Sequence, residues 1–517
     1  MSQKFYVTTP IYYVNDVPHI GHAYTTVAAD VLARHYRRVD RDVFFLTGTD
    51  EHGAKIAEAA TKHGMTPKQY VDQIVVRFQD AWQSLDVSYN KFIRTSDPEH
   101  EAGVAAFLEN LFVSGDIYKG TYEGLYCVGC EQFKAEEDLV DGKCPYHNLV
   151  PQWYSEENYF FRLSRYENAL IEALTNPNDP NHYVVAPPAR YNEVLGKLRL
   201  GLADLSISRA SLSWGVPLPF DPSQVVYVWI DALINYITAI GYPDRPENFQ
   251  QWWPADLHLM AKDILWFHAI LWPAMLIASG LRPPREVFAH GFFTINGQRM
   301  SKTLGNVISP AELINRFGSD ASRYLLVTDF PFGTDGDFNL ENLTARYNAE
   351  LANDLGNLLN RTVSMINRYR GGEVPTPNAT QPPDAEVRAM AEAMFGQVDH
   401  ALGALEFVAA ADAIRAVVSR ANRYVEETAP WKLAKADPDR LATVLYTLAE
   451  AERLVAIALQ PFVPETSQRM LNQLGVSSQT NSAWGGIAAG TRVTAQPTPL
   501  FPKIELPRGE VGTGTPR

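Results

Sequence analysis

Cysteine is almost missing from this chain: three in 517 residues. So few, and an odd number, exclude a disulfide framework of the kind that staples small secreted domains. Long apolar runs are missing as well. The most apolar stretch, Ile264 to Gly280, is interrupted by His268, Pro273 and Ser279 and falls short of a comfortable bilayer span; it reads as a buried helix. Met1-Ser2-Gln3-Lys4 leads straight into strand-like sequence, without the apolar core of a secretion signal. A cytoplasmic protein without membrane association is expected. Nor is there an excess of positive charge. Against 59 Asp and Glu stand 45 Lys and Arg, a net charge of −14, which excludes a grip on nucleic acid through global charge and leaves local patches and shape. Three basic clusters exist (Arg34, Arg37, Arg38; Arg361, Arg368, Arg370; Arg415, Arg420, Arg423), each of a kind that is usually a solvated helix face. There is no internal repeat and no G-x-G-x-x-G fingerprint.

What is present is ordinary in bulk and specific in detail. With 46% hydrophobic and 20% charged residues, the chain has a globular composition, and its length suggests about three domains. The cysteines fall in one window, as Cys127-x-x-Cys130 followed by Cys144-x-x-His147. Three thiolates and an imidazole in two knuckles form a closed tetrahedral shell for one structural zinc ion, with no open position for catalysis. A redox pair at Cys127 and Cys130 lacks a thioredoxin-like context and leaves Cys144 and His147 unexplained.

Two further motifs lie far apart. His19-Ile20-Gly21-His22 follows the apolar run Phe5-Tyr6-Val7 and precedes helical sequence from Ala23 to His35. Two imidazoles around a glycine at a helix N-terminus are expected to make a flat, cationic floor for a polyphosphate. Arg299-Met300-Ser301-Lys302-Thr303 follows the turn signal Asn296-Gly297-Gln298 and reads as a mobile cationic loop. Two such loops on one polyphosphate would stabilise charge growing in nucleotidyl transfer. The apolar run Val43 to Gly48 reads as a buried parallel strand. It ends in Thr49-Asp50-Glu51-His52-Gly53, where ligands bind outside the carboxyl ends of a doubly wound sheet. Asp50 either caps the next helix or meets a substrate ammonium group.

The expected organisation is α/β, a Rossmann-type doubly wound parallel sheet interrupted by an inserted zinc-binding domain and followed by an α-helical bundle. Residues 1–115 form the first half of the catalytic sheet, and 116–216, rich in Tyr, Glu and Asn, the inserted connective domain. Residues 217–290 form the second half. There Val225 to Asp231 resumes the sheet pattern, Leu257 to Met260 and Val287 to Gly291 add strands, and Asp263 to Leu276 is an aromatic helix. Residues 291–348 link onward and carry the cationic loop. Residues 349–476 show helical periodicity in four segments (351–369, 385–402, 408–428 and 439–459), and 477–517 is an irregular tail.

The His19–His22 and Arg299–Thr303 motifs together resemble the HIGH and KMSKS signatures of class I aminoacyl-tRNA synthetases. Within that class the likeness narrows to the methionyl-tRNA synthetase family and covers nearly the whole chain. It rests on Thr8 to Asn15, on Leu202 to Arg209 with Trp214-Gly215-Val216-Pro217, on Tyr227 to Ala232 and on Ala261 to Ile264. The resemblance implies ATP-dependent activation of L-methionine to methionyl-adenylate, with Mg²⁺ accompanying ATP, then transfer to initiator and elongator methionine tRNA. It assigns catalysis to His19, His22 and Lys302, and nucleotide contacts also to Gly21, Gly291, Arg299, Thr303 and to Asp231 and Asp263, the two aspartates near the ribose or adenylate. It places methionine among Ile11, Tyr13, Trp229, Ala232, Leu233, Tyr236, Ile264, Phe267, His268 and Trp272, with Asp50 on the ammonium group. It gives anticodon contacts to Asn357, Arg361 and Trp431.

Plainer readings stand beside these. Aromatic walls suit a thioether but also serve as core. Asp263 also fits as a helix cap, and Trp431 as a bundle-core residue. Asn357 and Arg361, four apart, share one helix face. Arg299 and Thr303 depart from the family's lysine and serine, and His147 stands where some relatives have a fourth cysteine. Valyl-, isoleucyl- and leucyl-tRNA synthetases carry a much larger insertion than 116–216, and cysteinyl-tRNA synthetase draws zinc ligands from separated segments. A catalytically dead tRNA-binding relative is disfavoured because His19, His22, Asp50 and Lys302 are all retained. A monomer is expected, since the chain ends soon after the bundle.

Overall fold

Aromatic and β-branched residues open the first strand, Lys4–Tyr13 (β1), and Phe5, Tyr6 and Val7 are all buried. Asp42–Asp50 (β2) carries the similarly apolar Val43 to Leu46. Strands covered on both faces read as such runs rather than as alternation. The computed structural model describes residues 4–128, 132–146, 148–295, 297–300, 306–477 and 481–505. With Lys91–Arg94 (β3), Val184–Ala186 (β4), Leu257–Ala261 (β5) and Glu286–His290 (β6), these strands form a six-stranded sheet in the order β3-β2-β1-β5-β6-β4, parallel at every pairing. Sequence order runs outward from β1 to β3 on one side and from β5 to β6 on the other, where the earlier strand β4 is added at the edge. A crevice for ligands opens at such a switch point, outside the carboxyl ends of the strands.

Two local features shape that edge. The β1–β2 register shifts between Thr8 and Ile11, so that Thr8 pairs with Leu46 but Ile11 with Gly48. The extra residue falls at Thr9-Pro10, where proline has no N–H to give the ladder, and a bulge of this kind re-aims the side chains that follow. Gly48 itself is obligatory, because a Cβ there would sit 2.0 Å from the carbonyl oxygen of Ile93 in β3.

Helix α1 (Ile20–Arg38) follows β1 and buries Ala23, Tyr24, Val27, Ala28, Val31 and Leu32. Helix α2 (Pro98–Val113) and helix α3 (Val228–Thr238) belong to the same unit, which comprises residues 1–83 and 87–291. The expectation that Val225 to Asp231 resumes the main sheet is corrected here. Asp221–Val226 pairs antiparallel with Ser208–Arg209 in a separate three-stranded sheet, and from Val228 the chain is α3. That segment is predominantly apolar and buried on most sides, and periodicity does not separate such a helix from a strand. Within 116–216, Ile117–Cys127 and Gln152–Phe161 form the long pair of a four-stranded antiparallel sheet. Val184–Ala186, however, returns to the parallel sheet beside β6.

The second unit comprises residues 84–86 and 292–517. Phe293–Ile295 lies between Gln298–Arg299 and Gly336–Phe338 in a small sheet. The bundle consists of Asn357–Arg370 (α4), Pro382–Gly403 (α5), Phe407–Thr428 (α6), Pro438–Leu459 (α7) and Pro464–Gln473 (α8). Residues 481–505 have no helix or strand, yet Ile487, Val493, Leu500 and Phe501 are buried. A fully buried ion pair in α7, Glu450 and Arg453, fastens this tail. Glu450 accepts from the backbone N–H groups of Gly485, Gly486 and Ile487 at 2.6–3.0 Å. Arg453 donates to the carbonyl oxygens of Asn481 and Ala483. Burial without those partners would cost several kcal/mol.

One buried carboxyl in the bundle is not paired with a cation. Glu452 accepts from Thr362 Oγ1 at 2.5 Å, while its Oε2 meets no partner among the described residues. Burial pushes its pKa from 4.5 up to about 8, against the smaller opposing pull of Thr362. The folded state therefore holds a proton that the unfolded state releases, and stability falls as pH rises through that window. Glu452→Gln should melt several degrees above the parent at pH 8.5, with the gap narrowing towards pH 5. Equal pH dependence in the two proteins would contradict a neutral Glu452.

Candidate active site

The N-terminus of α1 is built by its two histidines. His19 is the N-cap, with extended backbone, and its Nδ1 accepts from the N–H of Gly21 at 3.1 Å. The N–H of His19 in turn donates to Nδ1 of His22 at 3.3 Å. This is a capping box in which imidazoles replace the usual hydroxyl and carboxylate. The rings stack with centroids 3.8 Å apart and planes 22° apart. Tyr12 braces the turn, its hydroxyl contacting the carbonyl of His22 at 3.1 Å and Thr26 Oγ1 at 2.6 Å.

A ring nitrogen that accepts carries no proton, so each neutral imidazole keeps its proton on Nε2. Desolvation lowers the pKa of His19 to about 4. His22 is lowered well below its ordinary value by desolvation and by His19 beside it. The floor expected to be cationic is thus a pair of neutral N–H donors, because a charged ring would have to be stripped of water beside its neighbour. Donors and the positive end of the helix dipole both still favour an anion there.

At the adjoining edge, Tyr13 of β1 pairs with Asp50 of β2. Asp50 is 8% exposed, and the Glu51 and His52 that follow are buried more deeply, at 0% and 2%. Glu51 takes a bidentate contact from Arg94, 2.7 and 2.9 Å, and accepts from Thr49 and Ser96. His52 turns to Asp231. Neither Glu51 nor His52 stood out in the sequence as a site residue, although both belong to the same short run as Asp50.

The residues expected around methionine belong to the same unit. Ile11, Tyr13, Trp229 and Ile264 are partly exposed and pack on its core, whereas Ala232, Leu233, Tyr236, Phe267, His268 and Trp272 are buried. Trp229 stacks on Phe267 with centroids 3.9 Å apart and an interplanar angle of 5°. Tyr236 donates its hydroxyl to His268 Nε2 at 2.7 Å, and His268 Nδ1 donates to the carbonyl of Ile264 at 3.0 Å. Burial lowers the pKa of His268 to about 4. The set is neutral and rich in aromatic faces, which suits a polarisable apolar side chain.

The nucleotide assignments scatter more widely. Gly21 lies in the first turn of α1, Gly291 directly follows β6, and Asp263 is exposed on a short 3₁₀ turn after β5. Asp231 is fully buried, with Oδ2 at 2.7 Å from His52 Nδ1 and Oδ1 at 2.8 Å from His100 Nε2. That position revises the expectation of a ribose contact, since the carboxylate is covered and both its oxygens are engaged. The backbone of Arg299 closes a strand pairing with Thr294, while the side chain of Arg299, together with Lys302 and Thr303, lies outside the described residues. Of the expected zinc ligands, Cys130 and His147 also lie outside them. Cys127 and Cys144 are both buried, and among the described residues they form no disulfide. Among the described residues no group of three or more metal-binding side chains gathers.

In the bundle, Asn357 opens α4 and is exposed, and Arg361 donates to Glu426 of α6 at 2.6 Å. Arg361, Asn422, Arg423, Glu426 and Glu427 line one groove. Trp431 is 45% exposed, so the reading of it as a bundle-core residue is corrected. Many residues of the basic clusters pair internally: Arg34 with Asp30, Arg37 with Ser88 and Asn90, Arg420 with Glu386 and Glu427.

Known families and solved structures match the chain over most of its length. The family model described as "tRNA synthetases class I (M)" matches residues 5–152 and 138–363. That described as "Anticodon binding domain of methionyl tRNA ligase" matches 374–508. The chain is 48% identical over 513 residues to a methionine--tRNA ligase of Caldanaerobacter subterraneus subsp. tengcongensis, covering 98% of this chain and 80% of that protein. A methionine--tRNA ligase of Synechocystis sp. is 44% identical, with 98% of both chains covered. Mycobacterium tuberculosis methionyl-tRNA synthetase in complex with methionyl-adenylate matches with a TM-score of 0.93 at 40% identity, covering 97% of this chain and 100% of that one. The apo form of the mycobacterial enzyme gives 0.85 at 37%, covering 98% and 99%.

The histidine pair yields a direct test. Nitrogen-15 NMR at pH 7 should find His19 and His22 as neutral Nε2–H tautomers, with His19 protonating only as the pH nears 4. An imidazolium at either position at pH 6.5 would contradict the capping geometry.

Proposed function

The chain belongs to the methionine--tRNA ligase family of class I tRNA synthetases, and on that premise we propose how its residues divide the work. It activates methionine with ATP to methionyl-adenylate and transfers the methionyl group to methionine tRNA. In the first step a methionine carboxylate oxygen bonds to the α-phosphorus of ATP. The bond from that phosphorus to the β-bridging oxygen breaks, and pyrophosphate leaves with its electrons.

His19 and His22 donate Nε2–H to oxygens on which negative charge grows, at a helix end whose dipole acts in the same sense. Lys302 brings full positive charge to the pyrophosphate, with Arg299 and Thr303 beside it. Gly21, Asp263 and Gly291 accommodate the nucleotide. Mg²⁺ bound with ATP neutralises part of the phosphate charge. Asp50 holds the methionine ammonium and so orients the carboxylate for attack. Trp229, Phe267, Tyr236, His268 and Trp272 surround the thioether, with Ile11, Tyr13, Ala232, Leu233 and Ile264 completing the wall. The observation that carries this reading is the reciprocal capping of α1 by His19 and His22, at the same sheet edge as Asp50.

Cys127, Cys130, Cys144 and His147 would hold one zinc ion. The two described thiols are buried, and a three-sulfur, one-nitrogen donor set suits a closed structural site that stiffens the loops between its ligands. Asn357, Arg361 and Trp431 read anticodon bases, by edge hydrogen bonds and by stacking on an indole that the bundle leaves exposed.

Trp431→Ala removes that platform, at a cost on the order of 1–3 kcal/mol per stacked base. Aminoacylation efficiency should fall about tenfold or more, while ATP–pyrophosphate exchange and the melting temperature stay near those of the parent. A parallel fall in exchange, or unchanged aminoacylation, would contradict an anticodon role.

A further inference from the structure

The turn after β2 holds more buried ionisable groups than methionine recognition uses. His52 lies two residues beyond Asp50, and its Nδ1 donates to Asp231 Oδ2 at 2.7 Å. His100, in the first turn of α2, donates through Nε2 to Asp231 Oδ1 at 2.8 Å. The same imidazole meets Thr238 Oγ1 through Nδ1, also at 2.8 Å. Asp231 is in the first turn of α3 and Thr238 is its last residue, so His100 grips that helix near both ends. His52 Nε2 faces Glu101 Oε1 at 3.8 Å, and its ring lies edge-on to Trp214, 5.1 Å between centroids.

The network is built tightly. The relative exposures of Asp231, His52 and His100 are 0%, 2% and 1%. A carboxylate out of water is tolerated only when hydrogen-bonded, and here both oxygens are occupied by N–H donors from two different elements. Burial opposes the charge on Asp231, but the two histidines outweigh it and hold the carboxyl at about 2. The peptide carrying His52 is itself fixed. The Glu51 N–H donates to Thr95 Oγ1 at 2.8 Å, its carbonyl accepts from Trp214 Nε1 at 2.6 Å, and the Gly53 N–H reaches the Trp214 carbonyl at 3.3 Å.

We infer that Asp231, with His52 and His100, is a positioning clamp for methionine. It sets the end of β2, which carries Asp50, against α3, which carries Trp229, Ala232, Leu233 and Tyr236, and so fixes the span between ammonium anchor and thioether wall. The inference rests on the methionine assignment proposed above. It gives Asp231 a role distinct from touching the ribose, and the two roles predict opposite kinetics.

The test is methionine-dependent ATP–pyrophosphate exchange with the full chain. The Asp50→Asn variant first tests the assignment on which the clamp rests; a KM for methionine unchanged in that variant would overturn the assignment, and the clamp with it. Asp231→Asn keeps the shape but turns one acceptor into a donor facing an imidazole N–H. The KM for methionine should rise about tenfold or more, as expected for a lost charged hydrogen bond, while the KM for ATP stays within about twofold of the parent. A rise in the KM for ATP with methionine unaffected would restore the ribose contact and overturn the clamp; so would unchanged constants in a variant that melts normally. Should Asp231→Asn fail to fold, His100 decides. His100→Gln retains a donor near Nε2 and should recover most of the methionine affinity lost in His100→Ala. Equal loss in both would mean that His100 only fills space, and would sink the inference.

Discussion

Three consecutive ionisable residues at the end of β2, Asp50, Glu51 and His52, are almost entirely out of water, and the site depends on how each is satisfied. Glu51 is neutralised by Arg94 and His52 is bound to Asp231. Asp50 lies beside Tyr13 at the carboxyl end of β2. A strand end that buries this much charge keeps its shape only while the partners stay in place. The surrounding elements therefore do two things at once: they satisfy the buried groups, and they fix where Asp50 stands.

The histidine turn follows a related logic. Its rings are stacked and partly desolvated, so charge is unfavourable, and their Nδ1 atoms are spent on backbone N–H groups at the helix start. What remains is a pair of Nε2–H donors fixed in direction. Preorganised neutral donors stabilise developing charge without reorganising at the moment of reaction. In this account, full positive charge comes from Lys302 and from the metal that travels with ATP. The two motifs have different work: one gives direction and the other gives charge.

Much of this was legible in the sequence where chemistry and pattern coincide. The apolar runs of β1, β2, β5 and β6, the four long helices of the bundle and the position of His19 and His22 at a helix start all follow from local rules. Val228 to Thr238 was not legible as a helix, because a segment buried on most sides carries no face-specific period. Val184–Ala186 is too short to announce that it joins the parallel sheet. The tail after Ser477 has the composition of a loop, and its packing depends on Glu450 and Arg453, whose partners are backbone groups that no motif reveals. The protonation state of the histidine pair and the burial of Asp231 were also beyond sequence reading. Both are set by what lies around a side chain rather than by which side chain it is.

The most direct measurement of the central claim is ATP–pyrophosphate exchange by the purified chain, with each amino acid offered in turn. The account predicts exchange with methionine and little with leucine or isoleucine, which lack the thioether that the proposed wall of Trp229, Tyr236 and His268 would receive. Exchange driven equally well by leucine or isoleucine, or no exchange with methionine, would contradict it.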